Sequence, residues 1–291
     1  MTEDLWFGVA VIVLLAAMAA AFARWGREPG EGRGSPVGRF VLIATAVGGL
    51  LGAPFWWFDL QPSFAWDLPP LASRMLGVAA LAFGVAGIAM LEHPSAARER
   101  LFHVLILTYL VPLALAAVTL HLDRFDFARP VTYGFFAVVI VLCVGSALEL
   151  SRGRHVDAAQ QTPGAGVRGW MLLVGLVLAI WGAALFLIPT APYPPVFNWP
   201  QDELSSRLIA AMLMTIAAAF FLSRRDAGLA RLALLFAGVY GMGVVAAGLM
   251  NAVGGKPIPL LYVTGFAIVG LVSLGLLAGM KGPRISPQAA S

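Results

Sequence analysis

Charge is what this sequence has least of. Asp, Glu, Lys and Arg together make up 12% of it, apolar residues make up 60%, and mean hydropathy is +0.86. A soluble domain carries about twice that charged fraction. The 291 residues would fit two soluble domains by length, but the composition excludes that reading. Cysteine is down to one, Cys143, so there is no intrachain disulfide, and the residue reads as a small core side chain. Histidine is scarce. His93 and His155 lie between apolar runs, while His103 and His121 sit at opposite ends of one run, 18 residues or ~27 Å apart in a helix. Neither of the latter has a second histidine with which to share a haem or metal, so both are expected at the membrane interface. No Cys/His/Asp/Glu cluster has metal-ligand spacing. A phosphate-cradling G-x4-G-K-[ST] loop and an H-E-x-x-H helix are both missing. No ionisable residue is expected at mid-bilayer, since Glu92 and Glu149 fall at run ends, which argues against a proton pump with a buried carboxylate relay. No cofactor is expected.

What remains is a chain of long apolar runs. A lipid-crossing helix needs about 20 mostly apolar residues, because ~1.5 Å per residue must span ~30 Å. Nine segments qualify: Leu5–Ala23, Phe40–Phe58, Leu71–Leu91, Leu101–Leu120, Val131–Leu150, Trp170–Ile188, Ser206–Leu222, Ala230–Met250 and Pro259–Met280. The runs are continuous rather than alternating, which excludes a β-barrel. The expected fold is an all-α polytopic transmembrane bundle of about nine spans.

The arginines between the runs set the topology rather than a nucleic-acid surface. With loop 24–39 taken as cytoplasmic, fourteen of the 19 basic residues fall on the cytoplasmic side and five outside. The positive-inside rule then puts the N-terminus outside and the C-terminus in the cytoplasm of a cell-membrane protein. A cleaved signal peptide over residues 1–23 is the rival reading, with Ala21-Phe-Ala23 as its cleavage site. Glu3 and Asp4 give that segment the wrong charge, so the first helix is read as retained.

One pattern occurs twice. Pro62-Ser-Phe64-Ala-Trp66 leads to Leu71-Ala-Ser73-Arg74, and Pro195-Val-Phe197-Asn-Trp199 leads to Leu204-Ser-Ser206-Arg207. The shared P-x-F-x-W-x4-L-x-S-R is displaced by 133 positions without a gap. Ala97-Arg98 and Leu101 recur at the same displacement as Ala230-Arg231 and Leu234. The organisation follows: 1–39, a first helix and basic loop; 40–150, one four-helix repeat; 151–169, a linker; 170–280, a second four-helix repeat; 281–291, a disordered tail. Four spans per unit is an even number, so the repeats are expected to be parallel, about an axis along the membrane normal. Gly48 with Gly52, Gly275 with Gly279, and Gly238, Gly241, Gly243 and Gly248 are expected to pack helices closely.

The motif also suggests a site. Phe64 and Trp66, like Phe197 and Trp199, would join Phe55, Trp56, Trp57, Phe58 and Tyr193 in an outer aromatic belt. Pro69, Pro70 and Pro200 suit the first turn of the helices that follow. Arg74 and Arg207 would then enter the membrane at equal depth, where arginine needs a partner. Arg207 has Glu203 one turn before it, whereas Arg74 has Pro70 there and must look to Asp59, Asp67, a loop carbonyl or a ligand. The functional expectation is a non-enzymatic membrane protein that binds or passes a small anionic or amphipathic molecule at an outward site between the repeats. Arg74, Arg207, Ser73 and Ser206 would contact the anion, and Trp66 and Trp199 would form an apolar rim. The opposing reading of the arginines is a clamp on each one's own outer loop. The alternative function is a structural or assembly subunit that docks other membrane proteins. An intramembrane enzyme would rest on Asp123 and Asp126 alone, and a charge-balanced loop accounts for them. Membrane lipids are the expected surroundings, and nucleic acid is not an expected partner.

Overall fold

The computed structural model describes residues 3–26, 35–60, 63–152, 161–189 and 203–280, with the side chains of 3–8, 10 and 11 left aside. The described residues are all-helical: α1 Glu3–Trp25, α2 Pro36–Trp57, α3 Pro70–Glu92, α4 Ala96–Leu120, α5 Pro130–Ser151, α6 Ala165–Leu187, α7 Glu203–Ser223, α8 Ala227–Val253 and α9 Leu260–Gly279. A short 3-10 turn, Leu122–Arg124, follows α4. The eight helices from α2 to α9 are long and apolar enough to cross a membrane. The first expected span, Leu5–Ala23, falls within helix α1.

Local chemistry sets the helix starts. Ser35, Ser95 and Asp226 cap α2, α4 and α8, their side-chain oxygens accepting from the backbone N–H of Gly38, Arg98 and Leu229. Pro36, Pro70 and Pro130 open α2, α3 and α5, where a missing N–H costs nothing. Pro69 stands at the cap of α3, while Pro200 lies outside the described residues.

Up-and-down connection collects the helix ends into two sets. At one end, Arg24 meets Glu92, Arg39 meets Glu99, and Arg231 donates to the Met280 carbonyl. This is the arginine-rich end. At the other, Ser73 donates to the Trp56 carbonyl and Arg207 to that of Phe186. We call this the far end.

Burial grades the helices. α7 is 78% buried across its span and α3 67%, whereas α5 and α9 are 28% buried. α3, α4, α7 and α8 form the inner group, and α2, α5, α6 and α9 cover it. The most extensive packing joins α2 to α3, α8 to α9 and α6 to α7, and next α3 to α8 and α4 to α7. The last two pairs tie the first half of the chain to the second. Aromatic rings fill the centre: Phe83 packs on Phe102, Tyr109 and Phe236, and Tyr240 shares a hydrogen bond with Tyr262.

Glycine permits the closest crossings. A Cβ on Gly241 would lie 2.6 Å from the Phe266 carbonyl oxygen, and one on Gly77 would lie 2.9 Å from that of Ala53. Gly238, Gly243 and Gly248 also meet neighbouring helices, as expected of α8. The expectation for Gly48, Gly275 and Gly279 is not met among the described residues: a Cβ at any of them would meet none of these within 4 Å. Small-xxx-small spacing marks a face that can approach another helix, and it does not say whether one is there.

Candidate functional site

The two motif arginines stand at the far end, and each reaches into the other half of the chain. Arg207, 9% exposed, donates from Nη1 to His121 at the end of α4, and from Nε to the Phe186 carbonyl at the end of α6. Its ion pair with Glu203 is 3.2 Å long, the one-turn partner that the spacing implies. Guanidinium can only donate, so the accepting Nε2 of His121 carries no proton and the neutral ring holds it on Nδ1. The expected interfacial histidine is thus 7% exposed and held by arginine.

Arg74 is half-buried and less well supplied. Its Nη1 donates to Asn251 Oδ1 of α8 at 3.3 Å, and its Nε is buried without a hydrogen-bond partner among the described residues. Asn251 is itself fixed, donating from Nδ2 to the Pro257 carbonyl at 2.8 Å. Neither Asp59 nor Asp67 takes up Arg74. Asp67 is exposed, and Asp59, in the left-handed region at φ 56°, keeps a buried Oδ1 with no partner among the described residues. Arg74 thus reaches α8 rather than its own loop, while the loop that Arg207 was expected to clamp, 190–202, lies outside the described residues.

The loop before α3 turns inward. Phe64 and Trp66 are 2% and 5% exposed, whereas Phe55 and Phe58, expected in the same belt, are exposed. The Trp66 ring packs on Phe125 and Phe135, from the α4–α5 connection and α5. Thr132 bonds the Ala65 and Asp126 carbonyls across that join. Trp66 is thus a packed core ring rather than part of an open rim, and its Nε1 is buried without a partner among the described residues. Ser73 is buried and spends its hydroxyl on Trp56, which fastens α3 to the end of α2. Ser206 is buried in α7. Trp199, with Phe197 and Tyr193, lies outside the described residues. Of the loop acids, Asp126 accepts from the Ala128 N–H in a local turn.

A second polar cluster, at the arginine-rich end, was not anticipated. Arg39 of α2 and Glu99 of α4 form a 3.2 Å ion pair with both side chains almost fully buried. One turn along α4, buried His103 shares a hydrogen bond with Ser146 of α5 at 3.1 Å. Glu149, 5% exposed, accepts from the Ser35 hydroxyl and N–H and pairs with Arg152. The cluster ties α2, α4 and α5 together. Glu149 sits at a helix end as expected, but it is enclosed by protein. The one available signal was Glu99 and His103 at i and i+4 on one helix face. Among the described residues no three His, Cys, Asp or Glu side chains converge as a metal would require.

Eight apolar helices with buried polar contacts at both ends define a class: a multi-pass, integral membrane helix bundle in contact with lipid. No protein-family model, curated protein or solved structure matches the chain.

Proposed function

We propose that this protein binds a small anionic or amphipathic molecule at the far end of its first half, with Arg74 as the headgroup contact. One observation carries the reading. In the P-x-F-x-W-x4-L-x-S-R segment of the first half, two donors, Trp66 Nε1 and Arg74 Nε, are buried with no acceptor among the described residues. An unmet buried donor costs about 1–3 kcal/mol, and an anion is the natural group to meet a guanidinium fork. Arg207 has three protein acceptors and serves in this reading as a fastener.

The proposal includes an architecture. Residues 40–150 and 170–280 are two parallel four-helix units, and the far end faces outward, with the C-terminus cytoplasmic. The reciprocal contacts of Arg74 with the end of α8 and of Arg207 with the end of α4 support equivalence of the two halves. The test is mass-spectrometric identification of lipids and metabolites that co-purify with the full chain, compared with Arg74→Ala and Arg207→Lys. The expected result is an anionic species lost with Arg74→Ala and kept with Arg207→Lys. Equal content in all three would remove the site.

A second reading, an assembly subunit, is favoured by a different observation. Gly275 and Gly279 on α9 leave an open, exposed small-residue face one turn apart, suited to another transmembrane helix. Mass determination in mild detergent separates the two, since a lone monomer from native membranes argues against the subunit.

A further inference from the structure

A cleft of about 340 Å³ opens at the arginine-rich end between α6 and α7, remote from Arg74. Its lining is Ala165, Arg168, Gly169 and Leu172 from α6, with Arg224 and Arg225 at the end of α7. Three arginines are among its lining residues, and no Asp or Glu of the described residues is. None of the three has a side-chain hydrogen bond or ion pair among the described residues, whereas Arg24, Arg39, Arg74, Arg98, Arg152, Arg207 and Arg231 all do. The nearest acid in sequence, Asp226, is committed elsewhere: its carboxylate caps α8 through the Leu229 N–H, and its charge faces Arg98. Three unpaired like charges around one cleft repel one another, and a dianion or phosphodiester would relieve this.

The surroundings favour a ligand with an apolar tail. Below the cleft, Leu172, Leu176 and Ile180 recur at four-residue steps along α6, 40%, 48% and 70% exposed. Beside them Leu222 of α7 is 52% exposed. The charge at the helix ends is therefore followed along α6 by an exposed apolar stripe. Basic pockets between transmembrane helices suit anionic headgroups for this reason, and the arginine fork matches phosphate oxygens.

We infer that the α6–α7 cleft is a phosphate-binding site whose ligand is an anionic phospholipid headgroup. Arg168, Arg224 and Arg225 hold the phosphate, and the acyl chains lie along Leu172, Leu176 and Ile180.

The test uses the full chain in phosphatidylcholine nanodiscs doped with phosphatidylglycerol, reading phosphatidylglycerol enrichment around the protein. Arg168→Gln with Arg225→Gln should lower the enrichment by at least about ten-fold, the factor for losing even one charge-assisted hydrogen bond. The double variant Arg24→Gln with Arg100→Gln removes the same charge from the same end and should leave it unchanged. Gly169→Trp fills the cleft with all arginines kept. A Cβ there meets none of the described residues within 4 Å, an unchanged unfolding temperature checks that the ring is accommodated, and enrichment should again fall. A parallel titration of phosphatidylcholine discs with inorganic phosphate separates the sources: free phosphate binding that both cleft variants abolish, without phosphatidylglycerol enrichment in the parent protein, keeps the phosphate site and overturns its lipid assignment. The inference fails if neither probe binds, if Gly169→Trp changes nothing, or if the two double variants behave alike.

Discussion

Arg74 and Arg207 occupy the same place in two copies of one motif, yet the protein treats them differently. Arg207 is almost fully buried and bonded to a carboxylate, an imidazole and a carbonyl. Arg74 is half-buried and has one amide acceptor at 3.3 Å. The difference begins with a single position, Glu203 in one copy and Pro70 in the other. It is then enlarged by what the opposite half offers, His121 against Asn251. In the function proposed above, one copy of the motif serves as a fastener and the other takes the ligand.

The largest effect that would sharpen this contrast is Arg207→Ala, expected to destabilise by about 3 kcal/mol because it strands buried partners. Thermal unfolding in detergent measures it, and a loss as large for Arg74→Ala would erase the distinction. Next is Arg74→Lys, which keeps the charge but loses the fork. Co-purifying anion should drop roughly ten-fold, about 1.4 kcal/mol, with the unfolding temperature little changed. Asn251→Ala should cost about 1 kcal/mol by the same unfolding assay and leave the bound anion in place. Loss of the anion in that variant would instead make Asn251 the residue that orients Arg74. Smallest is Glu203→Gln. Glu203 is 45% exposed, and such an ion pair is worth about 0.5 kcal/mol. A larger loss would mean that the carboxylate, rather than His121 and Phe186, holds Arg207.

Much of this was legible in the chain. The apolar runs located eight spanning helices to within a few residues, because lipid demands unbroken helices of a set length. The Glu203–Arg207 pair followed from one-turn spacing, and the want of a local partner for Arg74 followed from Pro70. The Arg39–Glu99 pair was not legible: its members lie in different helices, and arginine near a run end reads as topology whether it faces water or protein. The inward turn of Trp66 was equally hidden, since a tryptophan at a helix end suits an interfacial belt and a packed core alike.

Composition and spacing by themselves determined that the chain crosses a membrane as helices, roughly where each begins and ends, and that one motif recurs. Only the tertiary structure decided which faces meet protein and which meet lipid. The reason is physical: lipid and protein interior are both apolar, so the hydrophobic pattern that orients a helix in a soluble protein is missing here. Gly241 crosses another helix, Gly275 meets none of the described residues, and nothing in their neighbours' hydropathy distinguishes them.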